Sequence, residues 1–326
     1  MSEINLIQAI NLALARAMQE DESVLVLGED VGADGGVFRA TDGLLRRFGQ
    51  QRVFDTPLAE AGIAGVSVGL AIQGFRPVAE IQFSGFIYPV IDQLANHASR
   101  FRTRTRGRLT CPMVVRAPSG GGIRALEHHS ESNEAMFAHI PGLRVVIPSS
   151  PRRAYGLLLA AIRDPDPVVF FEPTRLYRAA REEVADDGQA EPLDRCFLLR
   201  EGSDVTILAW GGMVAEALAA AETLASQSVG AEIIDVATLK PLDADTILAS
   251  VKKTGRCVIA HEAPLTGGFG GEIAARVAEN ALLSLLAPIE RVAGFDTVIP
   301  LPRLEQHYFP NADRIAAAAM RAMAYQ

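Results

Sequence analysis

Between residues 24 and 173, short apolar runs recur, and most are followed by a stretch with helical spacing. The runs SVLVLGED, RVFDTP, PVAEIQF, PMVVRAP, LRVVIPSS and PVVFFEP are apolar and largely β-branched, with Gly, Pro or acidic residues at their ends. Strands that are apolar on both sides must be covered on both sides, so this alternation predicts a parallel sheet between two helical layers. The spacing predicts helices over 5–21 and 151–164, and in EAGIAGVSVGLAIQG and YPVIDQLANHASRF. GADGGVFRATDGLLRRFG reads as a glycine-rich loop and then an amphipathic stretch. Ligands of such sheets bind beyond the carboxyl ends of the strands, where the loops gather.

The pattern lapses in the acidic stretch EEVADDGQAEPLDR, which has Gly and Pro but no apolar period and reads as a linker. It then resumes: strands in DVTILAWGG, AEIIDVATL, RCVIAHEA and IERVAG alternate with helices over 214–228, 243–254 and 271–286. The expected architecture is therefore α/β, with a larger domain over 1–190 and a smaller one over 191–326. Hydrophobic residues make up 49% of the 326 positions but aromatics only 6%, so small aliphatic side chains must fill these cores.

A net charge of −8 argues against nucleic acid or an anionic membrane surface as partner. No stretch of 18 residues is free of charged or strongly polar side chains, so no membrane span is expected. The start, MSEINLIQAI, lacks a basic segment followed by an apolar one. Cys111, Cys196 and Cys257 are odd in number and have no metal-type spacing, which suits reduced, buried thiols of a cytoplasmic protein.

Two stretches carry residues suited to chemistry. Glu60, in DTPLAEAGIAG, follows a strand and is surrounded by Ala and Gly. A carboxylate there can meet a ligand, or it can be a first-turn acid favoured by the helix dipole. His128 and His129 follow the glycine run of SGGGIRAL, and a loop histidine can exchange protons near neutral pH or can simply be structural. The glycine clusters GADGGVF, PSGGGIR and LTGGFGGE match no phosphate loop of the GxxxxGK[ST] kind and read as tight turns. The arginines at every second position from 100 to 108 fit a solvated helix end, or a surface for an acidic partner. HExxH does not occur.

Taken in order, LGEDVGADGGVFRATDGL, RVFDTPLAEAGIAGVSVGLA, RPVAEIQFSGFIYPVIDQLANHASRFR, HHSESNEAMFAHIPGLRVVIPSSP, DPVVFFEPTRLYR, EGSDVTILAWG and KTGRCVIAHEAPLTGGFGGEI resemble the beta subunits of the pyruvate, branched-chain 2-oxoacid and acetoin dehydrogenases. The resemblance runs from about residue 4 to the C-terminus. It implies a pyrimidine-binding domain of the thiamine-diphosphate fold followed by a transketolase C-terminal-type domain. It also implies a cofactor, thiamine diphosphate, shared with an alpha subunit that holds the magnesium ion and the diphosphate through a GDG-led motif. That motif is missing here, since GADGG at 32–36 has the wrong order.

By this resemblance, Glu60 matches the glutamate that shares a proton with the aminopyrimidine ring nitrogen and so activates the cofactor. Gln82, Phe86 and Leu58 match positions that contact or border the same ring. His129, in HSES, matches a histidine that supplies a proton when a lipoyl disulfide is opened. Asp164 and Asp166 fall where relatives place acidic ligands of a monovalent cation such as potassium. The implied activity is oxidative decarboxylation of a 2-oxoacid in an alpha2-beta2 heterotetramer, whose partners are the alpha subunit, a second beta subunit and a lipoyl-bearing dihydrolipoyl acyltransferase. GGVFRATDGLLRRFG and IQFSGF point to pyruvate as the acid. Branched-chain acids, acetoin, a self-sufficient transketolase-like enzyme and a non-catalytic assembly subunit remain as alternatives.

Overall fold

The computed structural model describes residues 2–325 and contains 14 strands in three sheets. In chain order the strands are β1 (Ser2–Ile4), β2 (Val24–Gly28), β3 (Val53–Asp55), β4 (Arg76–Glu80), β5 (Val114–Ser119), β6 (Arg144–Val146), β7 (Val168–Pro173), β8 (Glu182–Val184), β9 (Phe197–Arg200), β10 (Val205–Ala209), β11 (Ala231–Asp235), β12 (Thr238–Lys240), β13 (Cys257–Pro264) and β14 (Glu290–Gly294). The seven-stranded sheet has the order β12-β6-β7-β5-β4-β2-β3 and is parallel apart from β12. The five-stranded sheet, β14-β13-β10-β11-β9, is parallel apart from β9. β1 and β8 form a small antiparallel pair.

Strand alternation sends successive side chains to opposite faces of the large sheet. Val114, Val168 and Phe170 join one core with the helices Leu6–Glu20 and Pro151–Arg163. Val115, Val169 and Phe171 join another with the helix Glu60–Ile72. That second core continues into the smaller sheet through Leu208, Ile234 and Ile259, so the two sheets share one apolar layer. The outer face of the smaller sheet is covered by the helices Met213–Ala225 and Ala312–Ala324. Local signals set the helix starts. Asn5 and Gln8 form a reciprocal capping box at 3.0 Å, Ser150 caps the helix that opens on Pro151, and Asp243 caps Ala244–Thr254.

The structure departs from the sequence reading at several places. AEIIDVATL, read as one strand, is two strands in different sheets. The Asp235 carboxylate accepts from Ala237 N at 3.0 Å, Ala237 takes φ 48°, and the chain turns so that β12 pairs with β6. The stretch YPVIDQLANHASRF, read as one helix, is a series of short helical segments broken at His97. Arg100 Nε donates to Ala95 O at 2.7 Å and Arg104 Nη1 to Asn96 O at 2.6 Å, taking up the carbonyls the break releases. The acidic linker contains β8, and the C-terminal helix Ala312–Ala324 was not anticipated. Much of the arginine run is thus used within its own segment, and Arg102 pairs with Asp166. The three cysteines are free and buried, as expected, and no helix among the described residues is long and apolar enough to cross a membrane.

One polar group lies in the middle of the large sheet. Arg116 on β5, 1% exposed, donates to Glu80 on β4 at 2.9 Å and to both oxygens of Glu172 on β7 at 2.6 and 3.1 Å. Tyr177 completes it by donating to Glu172 at 2.6 Å. Removing one member of a buried ion network strands the others, at a cost of about 3–5 kcal/mol. Arg116→Leu should therefore lower unfolding free energy by about that amount, read by chemical denaturation, whereas an exposed control such as Arg108→Leu should shift it by less than about 0.5 kcal/mol.

Candidate active site

Four neighbouring strands, β3-β2-β4-β5, run parallel, so their carboxyl ends open on one edge of the sheet. Each delivers a residue capable of chemistry. β2 ends at Gly28 and leads into Glu29 and Asp30; β3 leads through Leu58 to Glu60. β4 leads to Gln82 and Phe86, and β5 to the loop with His128 and His129. Glu60, Leu58, Gln82, Phe86 and His129 therefore all emerge on this edge. Asp164 and Asp166 precede β7 and lie at the opposite, amino edge.

Glu60 is the first residue of its helix and half-buried. Around it Leu58 is 80% exposed, and Ala59, Ala61 and Gly62 are exposed as well. The carboxylate is thus open on one side, with only small groups and one uncovered leucine about it. Behind it sits Glu29, which is buried and leaves Oε1 without a hydrogen-bond partner. Burial is the main cause that pushes the Glu29 carboxyl above its usual range, and the nearby charges of Glu60 and Asp30 push the same way. Glu29 escaped the sequence reading, although an acid directly after a strand and a glycine was its available signal. Gly28 is required there because it has φ 154° and a Cβ would stand 2.6 Å from Glu80 O.

Gln82 Nε2 donates to Asp30 at 3.1 Å, joining the exits of β4 and β2. Phe86 lies edge-to-face with Phe83, His128 and His129, at centroid distances of 5.9, 5.0 and 5.2 Å. Phe83 also meets His129 at 4.4 Å. The histidine turn is pressed onto the Ser84–Phe86 turn so closely that any Cβ at Gly85 would overlap His128 O. Ser84 Oγ donates to Glu131 O at 2.6 Å, and Asn133 Nδ2 donates to Ser84 O at 2.9 Å, fixing the far side of the turn. His129 leaves Nδ1 buried and unpartnered, so this imidazole has a ring nitrogen uncommitted to the protein. Phe83 and Gly85 shape this corner and carry no motif that would single them out in the sequence.

At the amino edge, Asp164 pairs with Arg144 at 2.8 Å, and Asp166 receives Arg102 Nε at 2.8 and 3.1 Å. A cation here would have to rely mainly on backbone carbonyls. Among the described residues, no three His, Cys, Asp or Glu side chains come together as a metal site.

Comparison with known proteins gives the same outline. The family model described as "Transketolase, pyrimidine binding domain" matches residues 2–180, and "Transketolase, C-terminal domain" matches 195–315. The chain is 50% identical over 317 residues to the "Pyruvate dehydrogenase E1 component subunit beta" of Acholeplasma laidlawii, covering 97% of each chain. It is 47% identical over 325 residues to the protein of that name in Bacillus subtilis (strain 168), covering 100% of each. Among solved structures, a "Split gene transketolase, inactive beta4 tetramer" superposes with a TM-score of 0.81 at 26% identity, covering 99% of each chain. With both transketolase-type domains in order and near-half identity along its whole length, the chain belongs to the beta subunits of thiamine-diphosphate-dependent 2-oxoacid dehydrogenases of the pyruvate dehydrogenase E1 type.

Proposed function

We propose that this chain contributes the proton-handling half of a decarboxylating site completed by an alpha subunit, with pyruvate as the preferred 2-oxoacid. The observation that carries this reading is the shared strand edge, on which Glu60 stays open beside exposed Leu58 while Gln82, Phe86 and His129 emerge from the neighbouring strands. The names of the relatives support the choice of acid.

The residues present fit the ring end of thiamine diphosphate and not its charged end. For the ring there is an open carboxylate backed by the orphaned Glu29 Oε1, with aromatic edges close to His129. For the diphosphate the GADGG loop offers no open glycine cradle. A Cβ on Gly35 would stand 2.7 Å from Asp42 Cα and one on Gly36 2.9 Å from Glu80 Oε1, so these glycines turn inward. The alpha subunit would therefore hold the diphosphate and magnesium, within an alpha2-beta2 assembly whose beta subunits also pair with each other.

The cofactor, when bound, supplies a nucleophilic carbon and an electron sink. Glu60 holds a proton at the pyrimidine ring nitrogen, a position where Gln could hydrogen-bond but could not relay the proton. Glu29 keeps a second carboxyl near Glu60, and burial, with the charges of Glu60 and Asp30, favours the protonated form of Glu29 itself. Leu58 and Phe86 offer apolar surface to a flat ring, and Gln82, held by Asp30, offers its amide to a polar edge. His129 delivers a proton to sulfur as the lipoyl disulfide of a dihydrolipoyl acyltransferase opens. Three buried, unpaired thiols suit a cytoplasmic setting. We leave the Asp164–Asp166 loop as the place for a potassium ion bound chiefly through carbonyls.

With alpha present, Glu60→Gln should reduce pyruvate decarboxylation at least about 100-fold, the usual scale of a proton-transfer role. Full activity would instead favour a subunit that only scaffolds alpha. Pyruvate should be decarboxylated faster than 3-methyl-2-oxobutanoate by the parental complex, and the reverse order would move the assignment to branched-chain acids. His129→Ala should leave turnover with an artificial oxidant within about twofold while cutting lipoyl acylation about 100-fold. Equal losses in both assays would remove the lipoyl step from His129.

A further inference from the structure

The loop that carries His129 begins at Gly120, Gly121 and Gly122, directly after β5. Gly120 N donates to Glu131 O at 2.9 Å and closes the loop on itself. The next two amides are held by residues from the other half of the chain. Gly121 N donates to Glu262 Oε2 at 3.3 Å, and Gly122 N donates to Glu305 Oε1 at 2.7 Å. Glu262 lies on β13 of the smaller sheet, and Glu305 opens the short helix Glu305–Tyr308.

Both carboxylates are almost out of water: the Glu262 side chain is 11% exposed and Glu305 is 6% exposed. A carboxylate buried without partners is costly, so what these two touch explains why they are tolerated. Glu262 also receives Arg175 at 3.4 Å, and Arg175 continues to Glu216 at 2.7 Å. The three glycines leave no room for anything else. A Cβ on Gly120 would overlap Glu262 Oε2, one on Gly121 would overlap the Phe309 ring, and one on Gly122 would stand 2.9 Å from Arg175 Cβ. The start of the loop is therefore gripped by the C-terminal half, while its far end is tied to Ser84 in the N-terminal half.

We propose that Glu262 and Glu305 are positioning residues for the His129 loop: the two carboxylates hold the Gly121 and Gly122 amides and so set where the imidazole stands. This deepens the reading of His129 as the acid of the lipoyl step and rests on it. The C-terminal half then determines the fraction of molecules in which the imidazole is poised. A loop released from this grip lowers the rate of the step in proportion to that fraction. Glu60 stands on the exit of β3, away from this contact, and is unaffected.

The test compares Glu305→Ala with Glu305→Gln in the assembled alpha–beta complex. Three quantities are read: amide exchange over residues 120–130, acylation of a lipoyl domain, and turnover with an artificial oxidant. Glu305→Ala should speed exchange and slow acylation, each about tenfold, the scale of one lost hydrogen bond to a charged acceptor, with oxidant turnover within about twofold. Glu305→Gln keeps an amide oxygen facing the Gly122 N–H and should restore both to within about threefold of the parent. Unchanged exchange and acylation in Glu305→Ala, parallel loss in both turnover assays, or a Gln variant as impaired as Ala would each overturn the proposal. Should Glu305→Ala fail to assemble, the Glu262→Ala and Glu262→Gln pair is read by the same criteria through Gly121. An error in the role of His129 is separable: it would show as equal effects of His129→Ala on both assays, whereas the exchange measurement reports the grip by itself.

Discussion

A guanidinium held between two carboxylates governs how the large sheet presents its loops. Arg116, midway along β5, joins Glu80 at the end of β4 and Glu172 near the end of β7. In the register of the sheet, Glu80 lies beside Arg116 on one side and Gly28 on the other. Such a group is a weak source of net stability, because all three charges must leave water. Its value is in fixing register: a one-residue slip would leave a charge unpaired in the core. The residues that follow these strands, Glu29 after β2, Gln82 after β4 and His129 after β5, inherit their relative positions from it.

Crowding above this group shapes the site as much as charge does. Gly28 and Gly36 bring the chain against Glu80, and Gly85 lets the histidine turn rest on the Ser84–Phe86 turn. The result is a corner where Phe83, Phe86 and two imidazoles meet edge-to-face. Beside it the carboxylates Glu29 and Glu60 interact, one buried and one half-open. Polar atoms left without partners, Glu29 Oε1 and His129 Nδ1, lie in this region, as suits a surface completed by something bound.

The two halves of the chain are not independent bodies. They share one apolar layer, β12 leaves the smaller sheet's neighbourhood to extend the larger sheet, and Trp210 Nε1 reaches Glu134 at 3.1 Å. Contacts of this kind let the C-terminal half influence loops that emerge from the N-terminal sheet.

The repeated strand-and-helix pattern, read from apolar, β-branched runs and helical spacing, was enough to specify an α/β fold with parallel sheets, because the burial pattern acts locally along the chain. The motifs around Glu60 and HSES also marked residues that the fold brings to one edge of a sheet. Other features could not be read this way. The pairing with β6 that places the end of one apolar run in a second sheet, the burial of Glu29, and the place of Gly85 depend on groups distant in sequence. So do the contacts of Gly121 with Glu262, 141 residues away, and of Gly122 with Glu305, 183 residues away. Periodicity records which face of an element is apolar; only the folded chain decides which distant carboxylate, ring or amide comes to stand against it.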